Sequence, residues 1–287
     1  MPKLFRKIKE IRNFLKELRC NGSNLSVGFV PTMGYLHKGH MELIKLSKLQ
    51  NEITVVSIYV NPLQFGAGED YERYPRDLER DLAMCEEAGV DVVFAPEDQE
   101  MYPELPKVKI DIPGLTDRLE GAYRPGHFNG VAIVVLKLLH IVQPDRAYFG
   151  EKDYQQLKVV ERLVKDLSLP VEVVPVPTVR EEDGLACSSR NVYLSQEERR
   201  SALAIYRSFL LAQKLFQSGN TDANVLKEAI KDFLLKHPHV RKIDYVEITN
   251  EELNPVEEVK EGDRILVALY VGNTRLIDNW RLSHEKL

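Results

Sequence analysis

Residues 53–60 read ITVVSIYV, a run of β-branched and apolar side chains interrupted only by Thr54 and Ser57 among polar types. A strand covered by helices on both faces is apolar along its whole length instead of alternating, and this composition favours strand. On its N-terminal side stand a second strand at Ser26–Pro31 and a helix-length segment at Gly39–Leu49. On its C-terminal side come a helix at Arg76–Ala88, a strand at Asp91–Ala95 and a helix at Asn129–Ile141. A strand at Arg146–Phe149, a helix at Tyr154–Leu167 and a strand at Val171–Val176 complete the run. Strands separated by helix-length segments imply βαβ crossovers and a mostly parallel sheet. The expectation is therefore an α/β fold, with a doubly wound, Rossmann-like parallel sheet over residues 1–180. A first helix is expected ahead of it, burying Leu4, Ile8, Ile11, Leu15 and Leu18.

The pattern changes after Ser189. A long helix is expected at Gln196–Gln217, ended by Ser218-Gly219-Asn220, and a second at Ala223–Lys236. Strands follow at Ile243–Ile248, Ile265–Tyr270 and Arg275–Asn279, which gives a smaller α+β C-terminal domain over residues 181–287. His237-Pro238-His239 reads as a loop, and no internal repeat is visible.

Composition narrows the function classes. The 287 residues are 44% apolar and 29% charged, which is ordinary for a globular chain and argues against disorder. The 39 Lys and Arg against 44 Asp and Glu give a formal charge of −5, so nothing electrostatic points to nucleic acid. The longest apolar-leaning run, Val131–Val142, is broken by Lys137 and His140, short of the roughly 20 residues a bilayer span needs. No membrane association is expected. The N-terminal MPKLFRKIKEIRNFLKEL lacks the continuous apolar stretch of a secretory signal, and Glu10 and Glu17 argue against a transit peptide. Cys20, Cys85 and Cys187 are few, odd in number and far apart, which fits a reducing cytoplasm and no disulfide framework.

Four clusters carry candidate chemistry. The first, Met33-Gly34-Tyr35-Leu36-His37-Lys38-Gly39-His40, joins the first strand of the βαβ series to its helix. Ligands of open α/β sheets sit outside the carboxyl ends of the strands, and a helix N-terminus there offers N–H groups to an anion. Two imidazoles three residues apart can both donate to phosphate oxygens. Alone, an H-x-G-H would be no more than two solvated loop histidines; its position in the fold favours the anion site. Zinc is disfavoured, since no Cys or third His has suitable spacing.

The second cluster, Asn61-Pro62-Leu63-Gln64, follows the ITVVSIYV strand at the same sheet edge and offers uncharged amides for hydroxyls or carboxylates. The third, Gly150-Glu151-Lys152-Asp153 with Gln156 one turn on, follows another strand and places a lysine where a phosphate could lie. In the fourth, Val179-Arg180 precedes Cys187-Ser188-Ser189-Arg190, small and hydroxylic residues with a guanidinium that can fork onto phosphate oxygens. It also reads as an interdomain linker. Cys187 has no identifiable partner histidine and reads as packing.

Together the blocks PTMGYLHKGH (from Pro31), VNPLQFG (from Val60), RPGHFNGV (from Arg124), FGEKDYQQL (from Phe149) and NVYL (from Asn191), with DYVEI at Asp244, resemble the pantothenate synthetase (pantoate–β-alanine ligase) family of the H-x-G-H nucleotidylyltransferase superfamily. The resemblance implies an AMP-forming ligase. It would activate (R)-pantoate with ATP as pantoyl adenylate, then condense it with β-alanine to give pantothenate (vitamin B5), a coenzyme A precursor. It implies ATP binding by Met33, Gly34, Tyr35, Leu36, His37, Lys38, Gly39 and His40, by Gly150, Glu151, Lys152 and Asp153, and by Val179, Cys187, Ser188, Ser189 and Arg190. Gln64 and Gln156 match pantoate ligands, with Asn61 beside them and Gln64 also near β-alanine. His40 matches a proton donor, and His37 and Lys152 join it as candidate catalytic residues. Cys187 departs from the usual Met or Leu, another apolar gap-filler. Mg²⁺ with the nucleotide, a homodimer and a cytoplasmic location are implied too, while direct metal ligands are not assigned. The residue types agree, because adenylyl transfer needs positioning and charge stabilisation more than a nucleophilic side chain. The alternative is a nucleotidylyltransferase that stops at a nucleotide conjugate. A tRNA-charging enzyme is disfavoured by a C-terminal third that is not markedly basic, and a nucleotide-binding module without catalysis would bind ATP but exchange no pyrophosphate.

Overall fold

The computed structural model describes residues 1–20 and 25–285. The chain runs β1 (Lys3–Phe5), α1 (Ile8–Cys20), β2 (Val27–Thr32), α2 (Lys38–Gln50), β3 (Ile53–Ile58), α3 (Leu78–Glu87), β4 (Val92–Phe94), α4 (Asp98–Met101), α5 (Glu120–Tyr123) and α6 (His127–Val142). It continues through β5 (Arg146–Gly150), α7 (Tyr154–Asp166), β6 (Glu172–Val176), α8 (Gln196–Gln217), α9 (Ala223–Leu235), β7 (Val240–Thr249), β8 (Arg264–Val271) and β9 (Thr274–Arg281). Two compact units result, one of Met1–Glu151 with Gln156–Pro177, the other of Lys152–Gln155 with Thr178–Leu287. Among the described residues no helix is long and apolar enough to cross a membrane.

The first unit is built on a six-stranded sheet in the order β1-β4-β3-β2-β5-β6, every pair parallel. From β2 the chain steps outward through β3 to β4, then returns to the other side of β2 with β5. That reversal puts a switch point between β2 and β5, where open α/β sheets bind ligands. The inner residues of β3, Thr54 to Ser57, are buried, as a strand covered on both faces must be. On one face Val30, Val56 and Val93 pack against Leu36, Leu43, Ile44 and Cys85 from the α2 and α3 side.

The N-terminus differs from expectation. Leu4 belongs not to the first helix but to β1, which pairs with β4 at the sheet edge and leaves Leu4 38% exposed. The helix begins at Ile8 and buries fully only Ile11 and Leu15. A three-residue strand butted against an amphipathic helix is too short for its period of two to show against the helical period. Helix α6 starts two residues earlier than expected, at His127, and α4 and α5 have no counterpart in the sequence reading because four-residue turns carry no periodic signal.

The second unit packs α8 and α9 with an antiparallel sheet in the order β7-β8-β9. Phe209, Phe216, Leu226 and Ile230 meet Val246, Ile265, Val267 and Leu269 in its core. Helix α8 opens with Ser195 and Glu198 in a reciprocal capping box, which fixes its start at Gln196. Strand β7 is longer than expected, Val240–Thr249, because two register shifts interrupt its alternation near Lys242 and Tyr245.

Candidate active site

The turn after β2 is shaped by a residue far away in sequence. Asp81 of α3, its side chain 1% exposed, accepts hydrogen bonds from the backbone N–H of Tyr35 at 2.7 Å and of Leu36 at 2.8 Å. Burial raises its pKa, and those two N–H donors pull the other way. Arg80 adds an Nη2 donor to the Leu36 carbonyl at 2.8 Å and lays its guanidinium over the Tyr35 ring. Gly34 has φ +79° and Tyr35 φ +49°, both left-handed. A Cβ on Gly34 would stand 2.9 Å from Asp81 Oδ2 and from Ile58, so the position needs glycine for space as well as conformation.

That turn delivers two histidines to the start of α2. His37 is the N-cap, its Nδ1 accepting from Gly39 N–H at 3.1 Å, and His40 Nδ1 accepts from His37 N–H at 3.3 Å. A ring nitrogen that accepts carries no proton, so each neutral imidazole holds its proton on Nε2. The rings lie 4.0 Å apart between centroids. The first turn of α2 holds no acidic side chain, which leaves the positive end of the helix dipole to an external anion. Lys38, exposed, starts the helix, and Met33 stands partly exposed at the mouth of the turn.

After β3, Pro62–Gln64 form a single 3-10 turn capped by Asn61. Asn61 is 1% exposed and fully engaged. Its Nδ2 donates to Gln64 Oε1 and to the Gly130 carbonyl, each at 3.1 Å, while Oδ1 accepts from Leu63 N–H and from the Tyr102 hydroxyl. Asn61 therefore orients Gln64. Gln64 is itself 8% exposed, with Nε2 only 3.3 Å from the Met33 sulfur. Gln156 stands partly exposed on the first turn of α7, beyond the carboxyl end of β5.

Behind Gln64 lies His127, buried and held neutral, its pKa pushed down to about 4 by burial first and by the Arg124 guanidinium second. The unfolded ring titrates near 6.5, so between about pH 6.5 and 4 the unfolded chain binds a proton the native state does not. Stability should therefore fall with decreasing pH across that window, by up to about 1.4 kcal/mol per pH unit from this residue. Urea titrations at pH 6.5 and 4.5 on wild type and His127→Asn check this: the wild-type advantage should shrink at the lower pH. An unchanged difference would refute it.

In the second unit, residues 179–188 fold back on themselves. Cys187 N–H donates to the Val179 carbonyl at 3.0 Å, Arg180 bridges Ala186, and Glu181 N–H donates to Leu185 O at 2.8 Å, with the turn at Asp183-Gly184. Val179 and Cys187, eight positions apart, thus become neighbours. Cys187 is buried, its thiol donating to Glu181 Oε1 at 3.4 Å, in keeping with packing rather than nucleophilic use. Ser188 caps the 3-10 turn of Ser189–Tyr193, its Oγ accepting from Arg190 N–H at 3.3 Å; Ser189 is buried and Arg190 partly exposed. Gly150, which ends β5, and Glu151, which opens the next turn, belong to the first unit, and Lys152 and Asp153 to the second. Lys152 Nζ stands 3.4 Å from Asp153 Oδ1, and the Lys152 carbonyl accepts from Asn279 Nδ2 at 3.0 Å. Asn279 in turn accepts from Arg264, whose guanidinium covers the Tyr154 ring at 3.9 Å.

Several residues here escaped the sequence reading. Asp81 has no local signal, because its partners lie 45 and 46 residues away. A cavity of about 350 Å³ beside Met33 and Gly34 is lined in part by Tyr59, Tyr71 and Asp98, and both tyrosine hydroxyls donate to the Asp98 carboxylate, at 2.9 and 3.0 Å. Arg124 and His127 lie in a block visible in the sequence, but nothing in its spacing points to Gln64.

A family model described as pantoate-beta-alanine ligase matches residues 3–281. Over 283 residues the chain is 66% identical to the pantothenate synthetase of Aquifex aeolicus strain VF5, covering 99% of this chain and 100% of that one. The crystal structure of pantothenate synthetase from Thermus thermophilus is similar with TM-score 0.91 at 50% identity, covering 98% of this chain and 99% of that chain. The pantoate-β-alanine ligase from Francisella tularensis, solved in complex with β,γ-ATP and β-alanine, is similar with TM-score 0.81 at 35% identity, over 98% of both chains.

Proposed function

The chain belongs to the pantoate–β-alanine ligase family, and from that premise we propose the reaction it carries out: ATP-driven condensation of (R)-pantoate with β-alanine to give pantothenate, AMP and pyrophosphate. In the first step a pantoate carboxylate oxygen attacks the α-phosphorus and the bond to the β-phosphate bridging oxygen breaks, giving pantoyl adenylate and pyrophosphate. In the second the β-alanine amine attacks the acyl carbon, the bond to the AMP oxygen breaks, and the nitrogen loses a proton.

The histidine pair at the start of α2 carries this reading. Both Nδ1 atoms accept from backbone N–H groups, so a neutral ring at either position carries its proton on Nε2, the atom that can donate to a phosphate oxygen. Donors of this kind stabilise the charge that moves onto departing pyrophosphate, with no imidazolium required. Lys152, Ser188, Ser189 and Arg190 are the proposed further contacts to polyphosphate, and Val179 and Cys187 the apolar and backbone lining. Gln64 and Gln156 are assigned to pantoate, Gln64 also to β-alanine, with Asn61 acting by orienting Gln64. A neutral amide suits a carboxylate that must stay nucleophilic, since a tightly paired lysine would blunt it. Residues 1–180 are read as the ATP- and pantoate-binding domain and 181–287 as the smaller partner.

Mg²⁺ is proposed as the companion of the nucleotide, where it would neutralise phosphate charge. Among the described residues no group of three or more His, Cys, Asp or Glu side chains is placed to hold a metal ion. Phosphate oxygens and water suit such an ion. A homodimer and a cytoplasmic location are proposed on family membership, the former to be checked by sedimentation equilibrium.

The two-step course has a direct test. ATP–pyrophosphate exchange should require pantoate and proceed without β-alanine. Exchange that demands β-alanine would contradict an adenylate formed first, and a stable nucleotide conjugate with no AMP release on adding the amine would favour the nucleotidylyltransferase alternative.

A further inference from the structure

Gln64 is buried in a short turn outside the regular sheet and long helices, and its carbonyl is held from one side. Because a carbonyl can only accept, the His127 Nδ1 atom 2.8 Å from Gln64 O carries the ring proton and donates it. The Nε2 lone pair then accepts from Arg124 Nη1 at 3.2 Å, and Arg124 Nη2 also reaches Gln64 O at 3.4 Å. The guanidinium is fixed in turn by Glu69, to which Nε donates at 2.8 Å and Nη2 at 2.6 Å, with Glu120 a further 3.7 Å ion pair. One turn along α6, Gly130 lets the helix approach so closely that a Cβ would lie 2.3 Å from Leu63 O and 2.6 Å from Gln64 N. The Gly130 carbonyl meanwhile accepts from Asn61, whose Nδ2 also donates to the Gln64 side-chain oxygen Oε1.

A chain of buried and part-buried, mutually satisfied polar groups favours one arrangement, because each member that slips strands a partner. We propose that His127, locked by Arg124 and Glu69, is a positioning residue that sets the Gln64 amide at the orientation pantoate requires. This rests on the assignment of Gln64 to pantoate. His127 touches no substrate and acts through the Gln64 backbone.

The test is a set of steady-state and exchange measurements on His127→Phe, His127→Asn, Gln64→Ala and the double variant His127→Phe/Gln64→Ala, with thermal midpoints alongside. Phenylalanine keeps the ring volume without the donor, whereas asparagine puts an amide N–H where Nδ1 was. His127→Phe should raise the KM for pantoate about tenfold, as for one lost polar contact, with the KM for ATP nearly unchanged. His127→Asn should restore most of it, and in the Gln64→Ala background His127→Phe should change pantoate KM less than twofold. If Gln64→Ala raises pantoate KM but His127→Phe does not, or raises all KM values alike without rescue by Asn, the positioning role is overturned while the pantoate assignment stands. If Gln64→Ala leaves pantoate KM unchanged, the assignment itself fails and this proposal falls with it. Should His127→Phe not fold, Arg124→Lys, which keeps the charge but loses the fork onto Glu69, gives the same comparison.

Discussion

His40→Ala should lower the rate of adenylate formation by about 10²–10³, the loss expected for one preorganised donor to a developing anion. The effect should fall almost wholly on the first half-reaction. Aminolysis of chemically supplied pantoyl adenylate should be nearly normal, since pyrophosphate has already left. The geometry also separates His40 from His37. His40 Nδ1 accepts from the N-cap backbone, so its loss removes one capping bond as well, a contribution of roughly 0.5–2 kcal/mol to stability. That is too little to unfold a domain of ordinary stability. A rate loss of 10² or more with a modest change in Tm therefore belongs to chemistry. Equal slowing of both half-reactions would show that the leaving-group role is wrong.

Asp81→Ala should be the most damaging substitution outside the substrate contacts. It leaves the Tyr35 and Leu36 N–H groups without their acceptor. At about 1–3 kcal/mol for each stranded donor, the loss is roughly 2–6 kcal/mol. Removing a carboxylate that burial already disfavours returns part of this, but the carboxylate is held by two short bonds and flanked by Arg80, so the stranded donors dominate. Tyr35 loses the bond that keeps it at positive φ, and the turn should relax, carrying His37 out of its capping position. Asp81→Asn, which retains one acceptor oxygen, should fall between. The check is a thermal melt together with ATP–pyrophosphate exchange: Tm should drop by roughly 5 °C or more and exchange should fall with it. A folded Asp81→Ala variant with wild-type exchange would remove Asp81 from any part in shaping the site.

The contrast between these two residues marks what the sequence alone made legible. The parallel sheet followed from runs such as ITVVSIYV and their helix-length spacing, because covering both faces of a strand demands a continuous apolar stretch that survives in one dimension. The long helix at Gln196–Gln217 was legible too, since Ser218-Gly219-Asn220 marks its end. The H-x-G-H pair, Gln64, Lys152 and the Ser188–Arg190 segment were visible for a related reason: each sits in the short loop after a strand or at a turn, where chemistry-bearing residues cluster along the chain. Interactions that close across the sheet left no such trace. Asp81 beneath the turn after β2, Asn61 turned inward onto the Gly130 carbonyl, Asn279 under the Lys152 carbonyl, and the Glu69–Arg124–His127 chain each join residues that the fold brings together from separate stretches. The edge strand at Leu4 was hidden likewise, because three residues acquire strand character only when β4 offers them its free edge. Local periodicity and loop composition therefore determined the architecture and named the groups that could react. Which rotamer, tautomer and orientation those groups adopt was decided only by tertiary packing, because a buried hydrogen bond depends on where its partner lies in space and not on how far along the chain it stands.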